Sequence, residues 1–104
     1  MENKIHYSPQ AQKDLDEIWA YITSELGNPN AAANTVNEIM DAVDRLKTFS
    51  ESGANLFFLN GINSGYRFVQ YGNYLAFYRV SQKDVFIDRI IYGKRDYMRI
   101  LFGI

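Results

Sequence analysis

Cysteine is absent from all 104 residues. That removes disulfides and thiolate metal sites from consideration and fits a reducing, cytoplasmic setting. Histidine occurs once, at His6, so a zinc site has no second imidazole to build on, and neither a metal nor a cofactor is expected. Long apolar runs are missing too. Nothing approaches the roughly 20 residues that a membrane span requires, and the opening MENKIHYSPQAQKDLDE lacks the apolar stretch of a secretory signal. A cytoplasmic protein with no membrane partner is expected. There is also no excess of basic charge, with 11 Lys and Arg against 12 Asp and Glu, a net charge of −1. Proteins that grip nucleic acid through many phosphates carry such an excess, so any polyanion site here must be local. No internal repeat, low-complexity tract or linker divides the chain, and a single domain over 1–104 is expected.

The residues that are present belong to an ordinary globular protein, 47% hydrophobic and 22% charged. Charge is unevenly placed. Asp14, Asp16, Glu17, Glu25, Glu38, Asp41 and Asp44 load the first half, and Arg67, Arg79, Lys83, Arg89, Lys94, Arg95 and Arg99 the second.

Lys4-Ile5-His6-Tyr7 alternates and reads as a short strand. The only two prolines then each open a helix. Ser8-Pro9 places an N-cap before a proline whose missing N–H has no partner to lose, and Asn28-Pro29 repeats the signal. Ala11, Leu15, Ile18, Trp19, Ile22 and Leu26 form one apolar stripe, and Ala32, Val36, Ile39, Met40, Val43, Leu46 and Phe49 the next. Trp19 is placed in the core by this spacing. Gly27 ends the first helix, and the short connection makes the two antiparallel neighbours. Ala54 to Gly65 reads as a loop tucked over the core, with room for a short strand.

The period then changes to two. Strands are expected over Tyr66 to Tyr71, Tyr74 to Val80 and Val85 to Tyr92, joined at Gly72-Asn73 and at Ser81-Gln82-Lys83-Asp84. The predicted fold is α+β: an antiparallel sheet of about four strands in the order β-αα-βββ, with the N-terminal helical hairpin packed on one face. If the turns close simply, Tyr71 pairs with Tyr74 and Val80 with Val85. Val69, Ala76, Tyr78, Val85, Ile87 and Ile91 then meet the helices, whereas Phe68, Leu75, Phe77, Phe86 and Ile90 share the other face, a surface wide enough to call for a partner. A cover by the 54–65 loop or the C-terminal tail is the alternative. Arg79 and Asp88 become diagonal neighbours fit to pair, and the Arg89 stem lies along the core.

Ser8-Pro9-Gln10-Ala11-Gln12-Lys13-Asp14-Leu15 with Ile18-Trp19-Ala20-Tyr21-Ile22, then Tyr74-Leu75-Ala76-Phe77-Tyr78-Arg79-Val80, then Ile90-Ile91-Tyr92-Gly93-Lys94-Arg95-Asp96, together resemble the RelE/ParE superfamily of bacterial type II toxins over nearly the whole chain. The resemblance implies a toxin held inactive by a cognate antitoxin, a partner for which Phe68, Leu75, Phe77, Phe86 and Ile90 are the expected contacts. RelE-like members cut ribosome-bound mRNA; ParE-like members poison DNA gyrase. For the first activity, Arg95, Arg67 and Tyr97 are the candidate catalytic residues. The arginine of the RelE-like Gly-Tyr-Arg motif falls on Leu75, however, and the paired lysines fall near Tyr66 to Gln70, where Arg67 is the only cation. Tyr92-Gly93-Lys94-Arg95-Asp96 and Tyr78-Arg79-Val80 instead look like ParE-like endings. They make Tyr92, Lys94, Arg95 and Arg99 the candidate target contacts, with DNA gyrase the favoured target. An mRNA-cutting enzyme and a degenerate, non-toxic member are the alternatives.

Overall fold

The structure, a computed structural model, describes residues 2–104; Met1, which the single-domain expectation includes, lies outside the described residues. Strand β1 (Lys4–Tyr7) leads into helices α1 (Pro9–Ser24) and α2 (Pro29–Asp44), the second tightening into a 3-10 turn at Arg45–Lys47. Four strands follow, β2 (Ala54–Phe57), β3 (Asn63–Tyr71), β4 (Tyr74–Ser81) and β5 (Asp84–Tyr92), and a short helix, α3 (Tyr97–Phe102), closes the chain.

Local chemistry accounts for the helix starts. The Ser8 side chain accepts from the Ala11 N–H and that of Asn28 from the Ala31 N–H, with a proline at the next position in each case. The same Ser8 hydroxyl donates to the Asp88 carbonyl at 2.8 Å, which ties the start of α1 to β5.

The five strands form one sheet in the order β1-β5-β4-β3-β2. Both hairpin registers agree with expectation, Tyr71 facing Tyr74 and Val80 facing Val85. The sheet differs from expectation in two respects. The 54–65 stretch supplies a fifth strand, and β1 pairs with β5 in parallel, because its partner comes from the far end of the chain.

A bulge decides the faces. Phe77 lies opposite Arg89 and Tyr78 opposite Ile87, so Asp88 is an extra residue on β5. Beyond it the alternation slips by one. Ile90, expected on the free face, packs with Ala11, Leu15, Ile39, Val43, Ala76, Tyr78, Val85 and Ile87 under the helices, and Ile91 takes the opposite side.

That opposite side is not free. Leu56, Leu75, Phe77 and Ile91 form a second core, against which Tyr66, Phe68, Tyr97, Met98, Ile100, Leu101 and Phe102 pack. Helix α3 therefore covers the apolar face: Phe77 is fully buried and Leu75 nearly so. Of the five residues expected to wait for an antitoxin, Phe77, Leu75 and Ile90 are buried and Phe68 is half-buried beside α3; Phe86 alone lies outside both clusters.

Trp19 is also corrected. It is 44% exposed, since Leu15, Ile18 and Ile22 define the inward stripe and Trp19 stands about 100° round the helix from Ile18. Leu26, Met40 and Phe49, placed in the apolar stripes by spacing, are likewise exposed.

Candidate functional site

A groove of about 600 Å³ lies between α1 and the adjoining ends of β4 and β5, within the range of small-ligand pockets. Asp14, Glu17, Ile18, Tyr21 and Leu26 form one wall. Asn73, Tyr74, Ile90, Tyr92 and Arg95 form the other.

Asp14 sets the position of the first wall. It is 5% exposed and accepts from Arg89 Nε at 2.8 Å, from the Arg89 terminal nitrogen at 2.9 Å and from the Ile90 N–H at 2.9 Å. β1 ends opposite Ile87, so β5 has no strand neighbour on that edge from Asp88 onward, and the Asp14 carboxylate supplies the acceptor that Ile90 lacks. The pair holds Arg89 protonated above its usual range, chiefly through the hydrogen bond. The Arg89 stem was expected along the core; its guanidinium is instead the clamp between sheet and helix.

The second wall follows from a tight approach. The Gly93 N–H donates to the Asn73 carbonyl at 2.6 Å, and a Cβ at Gly93 would stand 3.1 Å from that same oxygen. Glycine thus lets β5 end against the β3–β4 turn, and the Arg95 N–H then bonds back to the Tyr92 carbonyl at 2.9 Å. Tyr74 and Tyr92 are directly opposite across the strands, their ring centroids 5.6 Å apart. Burial raises the Tyr74 pKa, and the neighbouring Tyr92 and Tyr21 phenols add to the rise, so this phenol stays neutral and is a weak base. Among the described residues, neither Arg95 nor Glu17 has an ion-pair partner. The groove thus offers an open guanidinium, an open carboxylate and three phenols, a set suited to hydrogen bonding and to holding a partner side chain.

The expected target contacts divide. Tyr92 and Arg95 line the groove and Lys94 is exposed on the turn between them. Arg99 points outward from α3, its side chain 76% exposed and 3.6 Å from Asp96, the residue whose carboxylate caps that helix. The expected catalytic trio is not assembled. Arg67 donates to the Glu51 and Gly53 carbonyls, each at 3.0 Å, and so staples the loop before β2. Tyr97 packs its ring 5.3 Å from Phe77 on the face away from α1 and α2. Only Arg95 stands in the groove.

The Arg79–Asp88 pair, expected from the register, is bidentate at 2.7 and 3.3 Å and is joined by the Tyr66 hydroxyl, which donates to Asp88 at 2.7 Å. Burial and then this bond raise the Tyr66 pKa, whereas Arg79 is raised mainly by its bond to Asp88. The cluster is neutral overall and satisfied, and it holds the bulge in place. Glu17 and Tyr21 escaped sequence reasoning. The signal was available, since Glu17 lies three residues and Tyr21 seven residues beyond Asp14 on one helix face, but that face reads as ordinary solvated helix. No group of three His, Cys, Asp or Glu able to hold a metal occurs among the described residues, and no helix there is long and apolar enough to cross a membrane.

Comparison with known proteins adds the family. The sequence model of the ParE toxin of the type II toxin-antitoxin system, parDE, matches residues 5–97. The fold is similar to a chain of the chromosomal ParDE TA system from P. aeruginosa, with 24% identity over 89% of this chain and 98% of that one and a TM-score of 0.73. It is also similar to the toxin-antitoxin complex RelBE2 from Mycobacterium tuberculosis, with 18% identity over 88% and 99% of the two chains and a TM-score of 0.57. YafQ from E. coli strain BL21(DE3) follows at 17% identity, 98% and 100% coverage, and a TM-score of 0.53. No curated protein matches in sequence.

Proposed function

The chain belongs to the ParE toxin family of type II toxin-antitoxin systems, and from that premise we propose that it stops growth by binding an essential target, DNA gyrase, rather than by cutting RNA, and that a cognate antitoxin neutralises it. The observation that carries the first part is the environment of Leu75. RNA cleavage that uses the substrate's own 2′-hydroxyl needs a base, a donor to the leaving oxygen and cations for the phosphorane. The position where the RNA-cutting relatives are expected to hold an arginine is here a leucine inside an apolar core, capped by α3. The remaining candidates, Arg67, Arg95 and Tyr97, serve three separate places. The binding reading is supported by the groups gathered at one groove: Arg95 and Tyr92 in it, Lys94 beside them, and Glu17 and Tyr21 opposite.

The test is inducible expression with DNA topology and message integrity followed in parallel. Gyrase-linked DNA breaks beside intact messages are expected, and Arg95→Ala abolishes them. Arg95 is exposed and, among the described residues, has no ion-pair partner, so its removal leaves stability within about 0.5 kcal/mol. Codon-phased message cleavage lost in Arg95→Ala overturns the gyrase reading in favour of the nuclease. Harmless expression of a folded chain overturns both and leaves a non-toxic relative. Co-expression with the short open reading frame beside the gene, where the antitoxin is expected, restores growth.

A further inference from the structure

Between Glu51 and Arg67 there is no charged residue. That stretch builds β2 and the turn into β3, and β2 is the open edge of the sheet. Edge strands of monomeric proteins are ordinarily blunted by lysine, proline or a cover. Ala54–Phe57 contains neither residue. In an antiparallel pair every second residue turns its N–H and C=O away from the neighbour, so β2 presents backbone groups outward. Beside them stand Phe57, 52% exposed, Leu59, 105% exposed, and Ile62, 61% exposed. The tip that carries them is ordered. The Phe58 N–H donates to the Ile62 carbonyl at 2.8 Å, the Gly61 N–H to the Phe58 carbonyl at 2.9 Å and the Ile62 N–H to Asn60 Oδ1 at 3.1 Å. The Phe58 ring anchors the tip on α3, 4.8 Å from Phe102.

We propose that β2 is an association edge for a second copy of this chain: two β2 strands pair antiparallel about a two-fold axis, and Phe57, Leu59 and Ile62 of each copy close over the seam. An antiparallel edge is complementary to itself under such an axis. A strand free of charge brings no like charges together there, and it offers a charged partner nothing to select. The two long helices, which carry half of the acidic residues, pack on β1, β3, β4 and β5. These three residues expose roughly 400 Å² per copy, so pairing removes at most about 800 Å² before the strand backbone is counted, the size of a weak, transient interface. The dimer is therefore weak and forms only as concentration rises.

Sedimentation velocity of the full chain over roughly 1 to 200 μM reads this dependence directly. The expected result is a shift from monomer to dimer mass, with hydrogen-exchange protection growing in β2 as concentration rises. Leu59→Lys, at a fully exposed position, and Ile62→Lys sediment as monomers at all concentrations, with an unchanged circular dichroism spectrum. A wild-type monomer at the highest concentration overturns the proposal. So does a dimer that persists in Leu59→Lys, or protection that grows elsewhere than β2. A monomeric wild type whose antitoxin binding is lost in Leu59→Lys also overturns it, since the edge then belongs to a different chain.

Discussion

Replacing Asp14 by alanine tests whether one carboxylate fastens the helical hairpin to the sheet. The substitution strips the Arg89 guanidinium of both its bonds and leaves the Ile90 N–H, on a residue only 3% exposed, without an acceptor. Breaking a buried pair from one side costs about 3–5 kcal/mol. The Arg89 side chain is 21% exposed and recovers part of its hydration, which lowers that figure to about 2 kcal/mol. The orphaned buried N–H adds about 1–2 kcal/mol. A total of about 3–4 kcal/mol is a large part of the 5–15 kcal/mol available to a domain of this size, and it lowers Tm by roughly 15–25 °C. Asp14→Asn, which keeps the volume and one acceptor, loses about half as much. Urea unfolding followed by far-UV circular dichroism and by Trp19 fluorescence measures these differences. The double variant Asp14→Ala/Arg89→Met removes the stranded charge and recovers at least 1 kcal/mol over Asp14→Ala. The reasoning fails if Asp14→Ala lies within about 1 kcal/mol of wild type, or if the double variant is no better than the single.

Gly53→Ala brings a methyl group into the Tyr78 hydroxyl and 2.8 Å from the Phe68 carbonyl, the first fixed by burial and the second by the pairing of β2 with β3. A loss of about 2–3 kcal/mol is expected in thermal unfolding. Tyr78→Phe costs about 1–2 kcal/mol instead, because the phenol oxygen is the acceptor of the Gly53 N–H at 2.9 Å. The Tyr7 phenol is pushed up to about 12 by burial and then by Asp44, and burial also raises Tyr66, Tyr74 and Tyr78. A folded pKa above the unfolded value of about 10 means that the native state holds its proton longer. This contribution is therefore whole below pH 10 and is lost as pH rises towards 12. Alkaline unfolding read at 295 nm shows this loss, and Tyr7→Phe moves the midpoint to higher pH. Leu75→Arg places the arginine of the RNA-cutting pattern into the core beneath α3. The expected result is a loss of several kcal/mol, with hydrogen exchange accelerated in Tyr97–Phe102 and no gain of RNA cleavage. A stable variant that cuts messages would contradict the account of this face.

Features set within a few residues were legible in the sequence. Ser8-Pro9 and Asn28-Pro29 fix two helix starts through their own side chains, and Gly72-Asn73 fixes a two-residue turn and with it the β3–β4 register. What escaped is set by partners far along the chain. β1 runs parallel to β5 across some 80 residues. β2 is a strand because β3 lies beside it, with a register shift between Asn55 and Phe57 that blurs its alternation. Of the site, Tyr92, Lys94 and Arg95 were legible as the charged end of a buried strand. The wall opposite was not, because Glu17 and Tyr21 acquire a role only once Arg89 draws α1 onto β5.

The bulge at Asp88 sets which side chains of β5 face α1 and which face α3. Three contacts hold it: the Ser8 hydroxyl on the Asp88 carbonyl, and Arg79 and Tyr66 on its carboxylate. None is a neighbour of Asp88 in sequence, so no local pattern announces the extra residue. Once it is present, Tyr92 falls on the helix side beside Tyr74 and joins the groove with Arg95, and Ile91 falls on the other side beneath α3. Without it, the alternation of β5 would turn Tyr92 away from α1. With the slip, Arg95 has the company of Tyr92, Tyr21 and Glu17 in the groove, and Tyr97, beyond the turn at Gly93, packs on Phe77 across the sheet. One residue inserted in β5 thus decides which side chains share the groove with α1 and which lie beneath α3.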